Sequence, residues 1–290
     1  MKLLTVAVIF AATTLNAATV LLDRPLPDAN LNNAAGSNRS NVAWADSPAA
    51  SATFNWTYGD DFTIGAAGQT FNITGLTVWV VGDAAHDPLN NIFSSLSLLG
   101  GTIGSSTSAS GACPNMTGSG QSFSCLNADG ISGISTVNTN GTDSNVSISP
   151  VTYTGGDSYQ STSGAAKDIY QVTFENLNWA IDGGTTYAFF VTGDPGSVGN
   201  GDVSPFLSAS NAALSGNTQD GADNLVWELA QDATTDDFVA MSQWNSLNNG
   251  WDKSTDINVA IEGTETPEPA TLGLFAVGLS ALGLIRRRKA

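Results

Sequence analysis

Basic residues are scarce in this chain, and their scarcity limits what the protein can bind. The 290-residue sequence contains nine Lys and Arg against 26 Asp and Glu. Five of the nine basic residues lie in the first 17 or the last 24 positions, so residues 18–266 hold four basic and 25 acidic side chains, a net charge of −21. Because nucleic acid binding needs Lys and Arg opposite the phosphates, this composition argues against a nucleic acid partner.

Histidine is rarer still, and recognisable catalytic motifs are missing. His86 is the single histidine, which excludes zinc sites built from several histidines. No Gly-x-Ser-x-Gly elbow is present for a nucleophilic serine. Glu175 and Glu228 each follow an aromatic residue and could form the carboxylate pair of a polysaccharide-active hydrolase, although an acidic chain offers many such pairs. The sequence therefore favours a protein without catalytic activity.

The two cysteines are Cys113 and Cys125, separated by a Ser- and Gly-rich stretch. A disulfide between them suits an exported protein and would contribute about 3 kcal/mol by closing a ring of about 13 residues. The alternative is a metal-binding pair, which lacks a third cysteine and a nearby histidine. We predict the disulfide.

Both ends of the chain contain apolar segments. Residues 1–17 combine a short basic start, an apolar core and a small-residue site at Leu15-Asn16-Ala17, which predicts a signal peptide cleaved before Ala18. The alternative is a buried first strand. Residues 271–285 are uncharged and just long enough, at about 1.5 Å per residue, for a minimal transmembrane helix. The basic residues after it should stay cytoplasmic and leave the body on the other side of the membrane: Arg286, Arg287, Arg288 and Lys289. The alternative is a buried C-terminal helix.

The C-terminal segment also carries a short motif before the apolar stretch, formed by Pro267, Glu268 and Pro269. The motif, the apolar helix and the basic stop together resemble the PEP-CTERM sorting signal of Gram-negative bacteria, with Thr266 in place of the usual Val. The resemblance implies passage through the export machinery, transient membrane anchoring, and processing by an exosortase-type protease near the motif. It further implies release or attachment at the cell surface, in bacteria that make extracellular polysaccharide.

The body between the two signals shows strand-like alternation and no sustained helical period. Apolar residues alternate in 70–81, with a change of phase at Gly75 that indicates a bulge. We predict one all-β domain over 18–263, a two-sheet antiparallel sandwich of jelly-roll-like type, followed by the sorting signal at 264–290, in which 264–266 is a linker. Further strands are predicted at 61–64, 96–99 (ended by Gly100-Gly101), 145–154, 168–174, 185–192, 224–230 and 256–262.

The body has a second, less specific resemblance. The segments Asp-Asp-Phe-Thr-Ile-Gly at 60–65, Ile-Thr-Gly-Leu-Thr-Val-Trp-Val at 73–80 and Gly-Gly-Thr-Thr-Tyr-Ala-Phe at 183–189 look like the β-sandwich domains of surface-anchored bacterial proteins. Most such domains have no assigned activity, so the resemblance implies a fold and no reaction.

Two sets of residues are candidates for ligand binding. Acidic loops could bind Ca²⁺, which prefers oxygen ligands, or could be ordinary acidic turns: Asp220, Asp223, Asp232, Asp236 and Asp237. Trp244 and Trp251 lie in Asn- and Gly-rich sequence and could stack on sugar rings or belong to the core, whereas Trp79 is expected in the core. The sequence thus predicts an exported, non-catalytic envelope or extracellular-matrix protein. The alternative is a carbohydrate-binding module, with or without the assistance of calcium.

Overall fold

The computed structural model describes residues 17–26, 39–43, 54–81, 95–104, 122–125, 131–135, 145–152, 159–160, 166–167, 169–194, 206–210, 226–232, 238–244 and 256–266. Every regular element within these residues is a strand. The strands are β1 (Thr19–Arg24), β2 (Arg39–Ala43), β3 (Phe54–Thr63), β4 (Thr70–Val81), β5 (Ser95–Gly104), β6 (Ser122–Cys125), β7 (Ile131–Ser135), β8 (Val146–Pro150), β9 (Tyr159–Gln160), β10 (Ala166–Lys167), β11 (Ile169–Phe174), β12 (Trp179–Asp182), β13 (Thr186–Asp194), β14 (Phe206–Ser210), β15 (Val226–Asp232), β16 (Phe238–Trp244), β17 (Asp256–Ile257) and β18 (Val259–Glu265).

The strands form two main antiparallel sheets. The first, called sheet A, has the order β1-β18-β4-β11-β8, and β12, β14, β2 and β17 join it beside that path. The second, called sheet B, has the order β16-β15-β3-β13-β5-β6, with β7 also paired to β5. The predicted all-β fold with two antiparallel sheets is confirmed. The jelly-roll-like arrangement stays a prediction, and the predicted signal peptide and transmembrane helix lie outside the described residues.

Strand β4 organises sheet A because it pairs along both of its edges. One edge pairs with β18 and the other with β11 and then β12. Opposite Glu262 and Gly263 the register skips Thr74, so β4 contains one extra residue beside Gly75. The predicted change of phase is therefore confirmed, and it keeps apolar side chains on the same face before and after the bulge: Phe71, Ile73, Leu76, Val78 and Val80.

The hydrophobic core lies between the two sheets. Its largest side chain, Trp179 from β12 of sheet A, lies over Gly100 in β5 of sheet B, and a Cβ added to Gly100 would collide with the indole ring. The remaining core residues come from both sheets, and they include Val172, Phe174 and Ile261 from sheet A and Phe62, Leu98 and Phe189 from sheet B. A sandwich-like layering follows, since each sheet buries one face against the other.

Strand β13, predicted from the sequence at 185–192, lies in the middle of sheet B. It pairs with β3 on one edge and β5 on the other, and Tyr187 through Val191 are all buried. The predicted end of the neighbouring strand at Gly100-Gly101 is wrong, because β5 continues to Gly104. Pairing with β13 on one edge and β6 on the other holds these glycines in the sheet, and the missing side chain at Gly100 leaves room for Trp179.

Trp79 is not in the core, which corrects the prediction from its apolar surroundings. Its neighbours Val78 and Val80 are fully buried between the sheets, so alternation turns Trp79 to the outer face of sheet A. There it is partly buried and belongs to a small cluster around Ile169. The unbroken apolar run at 78–81 gave no sign in the sequence that Trp79 faces outward.

Strand β18 extends further than predicted. Thr264 pairs with Asn72 and Glu265 with Phe71, so two residues assigned to a linker belong to sheet A. At its other edge, β18 pairs with β1, which begins at Thr19. The first strand after the predicted signal peptide thus lies beside the last strand before the sorting motif.

Candidate functional site

A buried ion pair joins the two sheets. Arg24, the last residue of β1 in sheet A, is 3% exposed, and Asp60 in β3 of sheet B has no exposed surface. The guanidinium Nη1 lies 2.9 Å from Asp60 Oδ2, and Nη2 donates a hydrogen bond to the main-chain oxygen of Asp61 at 2.7 Å. Taking two charges out of water is costly, so the pair depends on its mutual attraction and on further hydrogen bonds.

Asp60 receives those further hydrogen bonds from the main chain. The amide of Ile257 in β17 donates to Oδ2 at 2.6 Å, and the amide of Asp61 donates to Oδ1 at 2.8 Å. Burial raises the pKa of the Asp60 carboxyl well above its ordinary value, while the Arg24 guanidinium opposes that shift and the nearby Asp256 carboxylate reinforces it. One side chain thereby ties β3 to β1 and β17.

Asn258 extends this polar cluster within sheet A. Its side-chain amide donates to the main-chain oxygen of Pro25 at 2.9 Å, and its Oδ1 accepts a hydrogen bond from Ser208 Oγ at 3.0 Å. The main-chain amide of Asn258 also donates a hydrogen bond to the Ser208 carbonyl oxygen at 2.9 Å. The cluster therefore connects the end of β1 with β14, β17 and β18.

The cluster can hold elements together but cannot reach a substrate. Arg24, Asp60, Ser208, Asp256 and Asn258 are all at most 3% exposed, so a ligand would have to displace core strands to touch them. Buried polar groups of this kind fix one arrangement of strands because each donor needs its acceptor. We assign the cluster a structural role.

The residues before the sorting motif are held in a second polar cluster, called the Thr70–Thr266 clamp. The amide and the hydroxyl of Thr266 donate to the Thr70 carbonyl oxygen at 2.8 and 2.9 Å, and the two threonine hydroxyls also hydrogen-bond to each other. Next to it, Gln69 Nε2 donates to Glu265 Oε1 at 3.0 Å. The domain is thus fixed up to the residue that precedes Pro267.

A tight pair of turns supports the clamp. The turn that joins β3 to β4 includes Gly65 and Gly68, both at positive φ that glycine adopts without strain. Gly183 in the turn between β12 and β13 donates its amide to the Gln69 carbonyl oxygen at 2.8 Å, and the next amide, of Gly184, donates to Ile64 at 3.0 Å. Both turns therefore sit at the end of the sandwich where β18 finishes.

The binding residues predicted from the sequence are mostly untested. Among the calcium candidates, Asp232 ends β15, whereas the others lie outside the described residues: Asp220, Asp223, Asp236 and Asp237. Trp244 ends β16, and Trp251 lies outside the described residues. Cys125 ends β6, but Cys113 is not described, so the disulfide stays a prediction.

The predicted carboxylate pair is divided between the sheets. Glu175 is exposed after β11 of sheet A, where its Oε1 accepts a hydrogen bond from Ser147 at 3.3 Å, and Glu228 lies in β15 of sheet B. In the part of the chain that the structure describes, no three His, Cys, Asp or Glu side chains form a group suited to a metal ion.

The buried ion pair was missed in the sequence, although two signals pointed to it. Arg24 is one of only four basic residues in 18–266, and a single residue, Asp23, separates it from the apolar run at 20–22. Asp60 is in phase with Phe62 and Ile64, which both face the core. A charge at an inward position of a strand requires a buried partner, and alternation through Asp60 would have shown that need.

The predicted membrane segment lies outside the described residues, as do Pro267, Glu268, Pro269 and the basic stop. Among the residues that are described, no helix is long and apolar enough to cross a membrane.

Comparison with known proteins identifies one segment. Residues 265–289 match the family model of the PEP-CTERM protein-sorting motif. No curated protein and no solved structure gives a significant match to the chain. The matched segment begins at Glu265, the last residue of β18, so the motif continues directly from the folded sheet.

Proposed function

Because this chain is a PEP-CTERM protein by its C-terminal sorting motif, we propose that it is exported, held briefly in the membrane, and processed by an exosortase-type protease. The signal peptide at 1–17 directs it to the export machinery, and the helix at 271–285 anchors it. The basic residues 286–289 keep the tail on the cytoplasmic side. Processing then releases the body or leaves it at the cell surface.

We propose that the exported body acts without catalysis in the envelope or the extracellular matrix. Two observations support this role: the acidic, lysine-poor composition of the body and the absence of a catalytic motif in the sequence. Among the described residues, the polar cluster around Asp60, whose carboxyl pKa is strongly raised, is enclosed by the two sheets and serves the fold. High net charge keeps such a protein soluble after release.

Binding to extracellular polysaccharide is the second candidate function. The position of Trp79 on the outer face of sheet A favours it. Its partly buried ring lies on the outer face of sheet A, cross-strand from Gln171 and next to the hydroxyls of Thr77 and Thr173. An aromatic face beside amide and hydroxyl groups matches the apolar and polar faces of a sugar ring. Trp244, Trp251 and a bound Ca²⁺ remain further candidates for the same role. Co-sedimentation of residues 18–266 with polysaccharide from the producing cells separates this candidate from a purely structural one.

The intact mass of the protein from the envelope and the medium tests the sorting proposal. We expect the wild-type chain to lack residues 1–17 and the segment that follows the Pro-Glu-Pro motif. Replacing Arg286, Arg287, Arg288 and Lys289 with Gln should leave the C-terminal segment attached, because the tail loses its cytoplasmic stop. Lysine at the three arginine positions keeps the charge and serves as the matched control, which should be processed normally.

Two results would contradict the proposal. A wild-type mass that still contains the C-terminal helix would indicate a permanent anchor instead of a sorting signal. Normal processing of the Gln variant would show that the basic residues take no part in recognition or retention.

A further inference from the structure

Only a very short segment connects the folded domain to the predicted membrane helix. Strand β18 is paired in sheet A up to Glu265, and Thr266 is fixed to Thr70 by main-chain and side-chain hydrogen bonds. Only residues 267–270 separate this clamp from the start of the predicted membrane helix at Thr271. Two of those four residues are prolines, which restrict the backbone further.

The length of this connection sets how far the domain can move from the lipid. Five residue steps from Thr266 to Thr271 reach about 17 Å when fully extended. The headgroup layer on one side of a bilayer takes up about 5 to 8 Å of that reach. The clamp therefore stays within about 10 Å of the headgroup surface, well below the diameter of a domain of this size.

From this geometry we propose that one end of the sandwich rests on the lipid headgroups while the tail is inserted. This membrane end consists of the clamp, the turn at 65–69 and the turn at 182–185, and the inference rests on the proposed membrane insertion of residues 271–285. The partner is a lipid surface, and the contact lasts until the chain is processed.

The chemistry of the membrane end suits this position. Residues 65–68 are exposed and read Gly-Ala-Ala-Gly, so this turn carries no charge. In the described part of the chain, the acidic groups at this end are Asp182 and Glu265, and Glu265 accepts a hydrogen bond from Gln69. Anionic lipids repel a domain of net charge −21, and a small neutral turn is the part that approaches them at least cost.

Site-specific photo-crosslinking to lipid tests the proposal on the full chain. A photo-crosslinking amino acid replaces Ala67 at the membrane end, or Thr152 as the matched control. Thr152 is exposed and follows β8 at the opposite end of sheet A, where Pro150 pairs with Tyr170. The chains are inserted into vesicles of phosphatidylethanolamine and phosphatidylglycerol, and lipid adducts are counted by mass spectrometry.

We expect several-fold more lipid adduct at position 67 than at position 152. A flexible Gly/Ser spacer of about 12 residues between Thr266 and Pro267 should reduce the adduct at 67 to the level at 152, because the tether no longer limits the distance. Equal adducts at both positions, or an undiminished adduct at 67 with the spacer, would overturn the proposed contact.

Extraction with alkaline carbonate separates this failure from a failure of the proposed function. A chain that stays in the vesicles through extraction but gives equal adducts is inserted without the predicted orientation. A chain that is washed out has no membrane helix, and that result removes the proposed anchoring together with the contact that depends on it.

Discussion

Asp60 is completely buried and accepts hydrogen bonds from three different strands. Its carboxylate contacts Arg24 at the end of β1, the Ile257 amide in β17 and the Asp61 amide in its own strand. The contacts with Arg24 and Ile257 join segments that are far apart in the sequence. The Arg24–Asp60 ion pair can therefore form only when the two sheets pack on each other in their native arrangement.

Breaking this pair from either side should destabilise the protein strongly. Asp60→Asn leaves the Arg24 charge buried without its counter-charge, and Arg24→Met leaves Asp60 in the same condition. We expect each variant to lower the free energy of unfolding by about 3 to 5 kcal/mol, because one buried charge loses its partner. The double variant should cost clearly less than the sum of the two, as measured by urea unfolding of residues 18–266. Additive costs would show that the two side chains do not act as a pair.

The pH dependence of the Arg24→Met variant follows from the raised pKa of Asp60. Arg24 opposes the effect of burial, so its removal should raise the folded-state pKa further. A raised folded pKa means that stability is present where the carboxyl is protonated and is lost as pH increases. The stability difference between wild type and Arg24→Met should therefore shrink as pH falls from neutrality toward the ordinary carboxyl range. A constant difference over that range would indicate that Asp60 does not titrate in the variant.

Individual residues show where sequence reasoning succeeded and where it failed. Period-2 alternation located the buried residues of β4, including the change of phase at Gly75. It failed at Trp79 because residues 78–81 are all apolar, so composition gave no contrast between the two faces there. Arg24 and Asp60 were missed because their pairing joins β1 to β3, and the partner of a buried charge depends on the fold.

At the scale of elements, the packing of β12 on β5 depends on one small residue. Trp179 is 1% exposed and fills the space above Gly100, where a side chain would overlap the indole ring. A glycine within a strand usually weakens it, and here it marks a close approach between sheets. From the sequence, the same glycine was predicted to end a strand, because glycine pairs usually mark turns. The Trp179 ring that packs on it comes from a segment about 80 residues later in the chain.

Adding one methyl group at this position should separate the sheets locally. We expect Gly100→Ala to lower the free energy of unfolding by about 1 to 3 kcal/mol through overpacking. Trp179→Phe in the same chain should recover part of that loss, since the smaller ring leaves room for the new Cβ. Denaturant unfolding of the single and double variants measures the coupling.

Gly75→Ala provides the matched control for this cycle. A Cβ at Gly75 would find its nearest neighbour, the Phe174 carbonyl oxygen, at 3.6 Å, an ordinary contact distance. The control should change stability little, although it also adds a methyl group to a buried strand position. An equal loss for the two alanine variants would mean that a general effect of alanine, and not the contact with Trp179, explains the result.

For the whole molecule, the sequence predicted the fold class, and its eight predicted strand segments overlap nine of the 18 strands in the described residues. It could do so because alternation and turn residues are local signals. The order of the strands in the sheets depends on contacts between distant segments, such as the pairing of β1 with β18, and local patterns do not contain that information. The sorting motif was recognisable for the opposite reason, since its three parts are contiguous.

The boundary of the folded domain is the place where local and distant signals disagree. Composition ended the domain at 263, whereas Thr264 and Glu265 are paired in sheet A and Thr266 is bound to Thr70. A soluble fragment of residues 18–266 should therefore be more stable than one of residues 18–263. We expect a difference of about 1 to 3 kcal/mol in the free energy of unfolding, because the shorter fragment loses several hydrogen bonds at the end of a central strand.

A third fragment identifies the source of that difference. Thr266→Val in residues 18–266 removes the hydroxyl bonds to Thr70 but keeps the main-chain pairing, so its stability should lie between the other two. Equal stability of the 18–263 and 18–266 fragments would show that the last three residues add nothing to the sheet. The tether to the membrane would then be seven residues long instead of four, and the proposed contact between the membrane end and the lipid would lose its geometric basis.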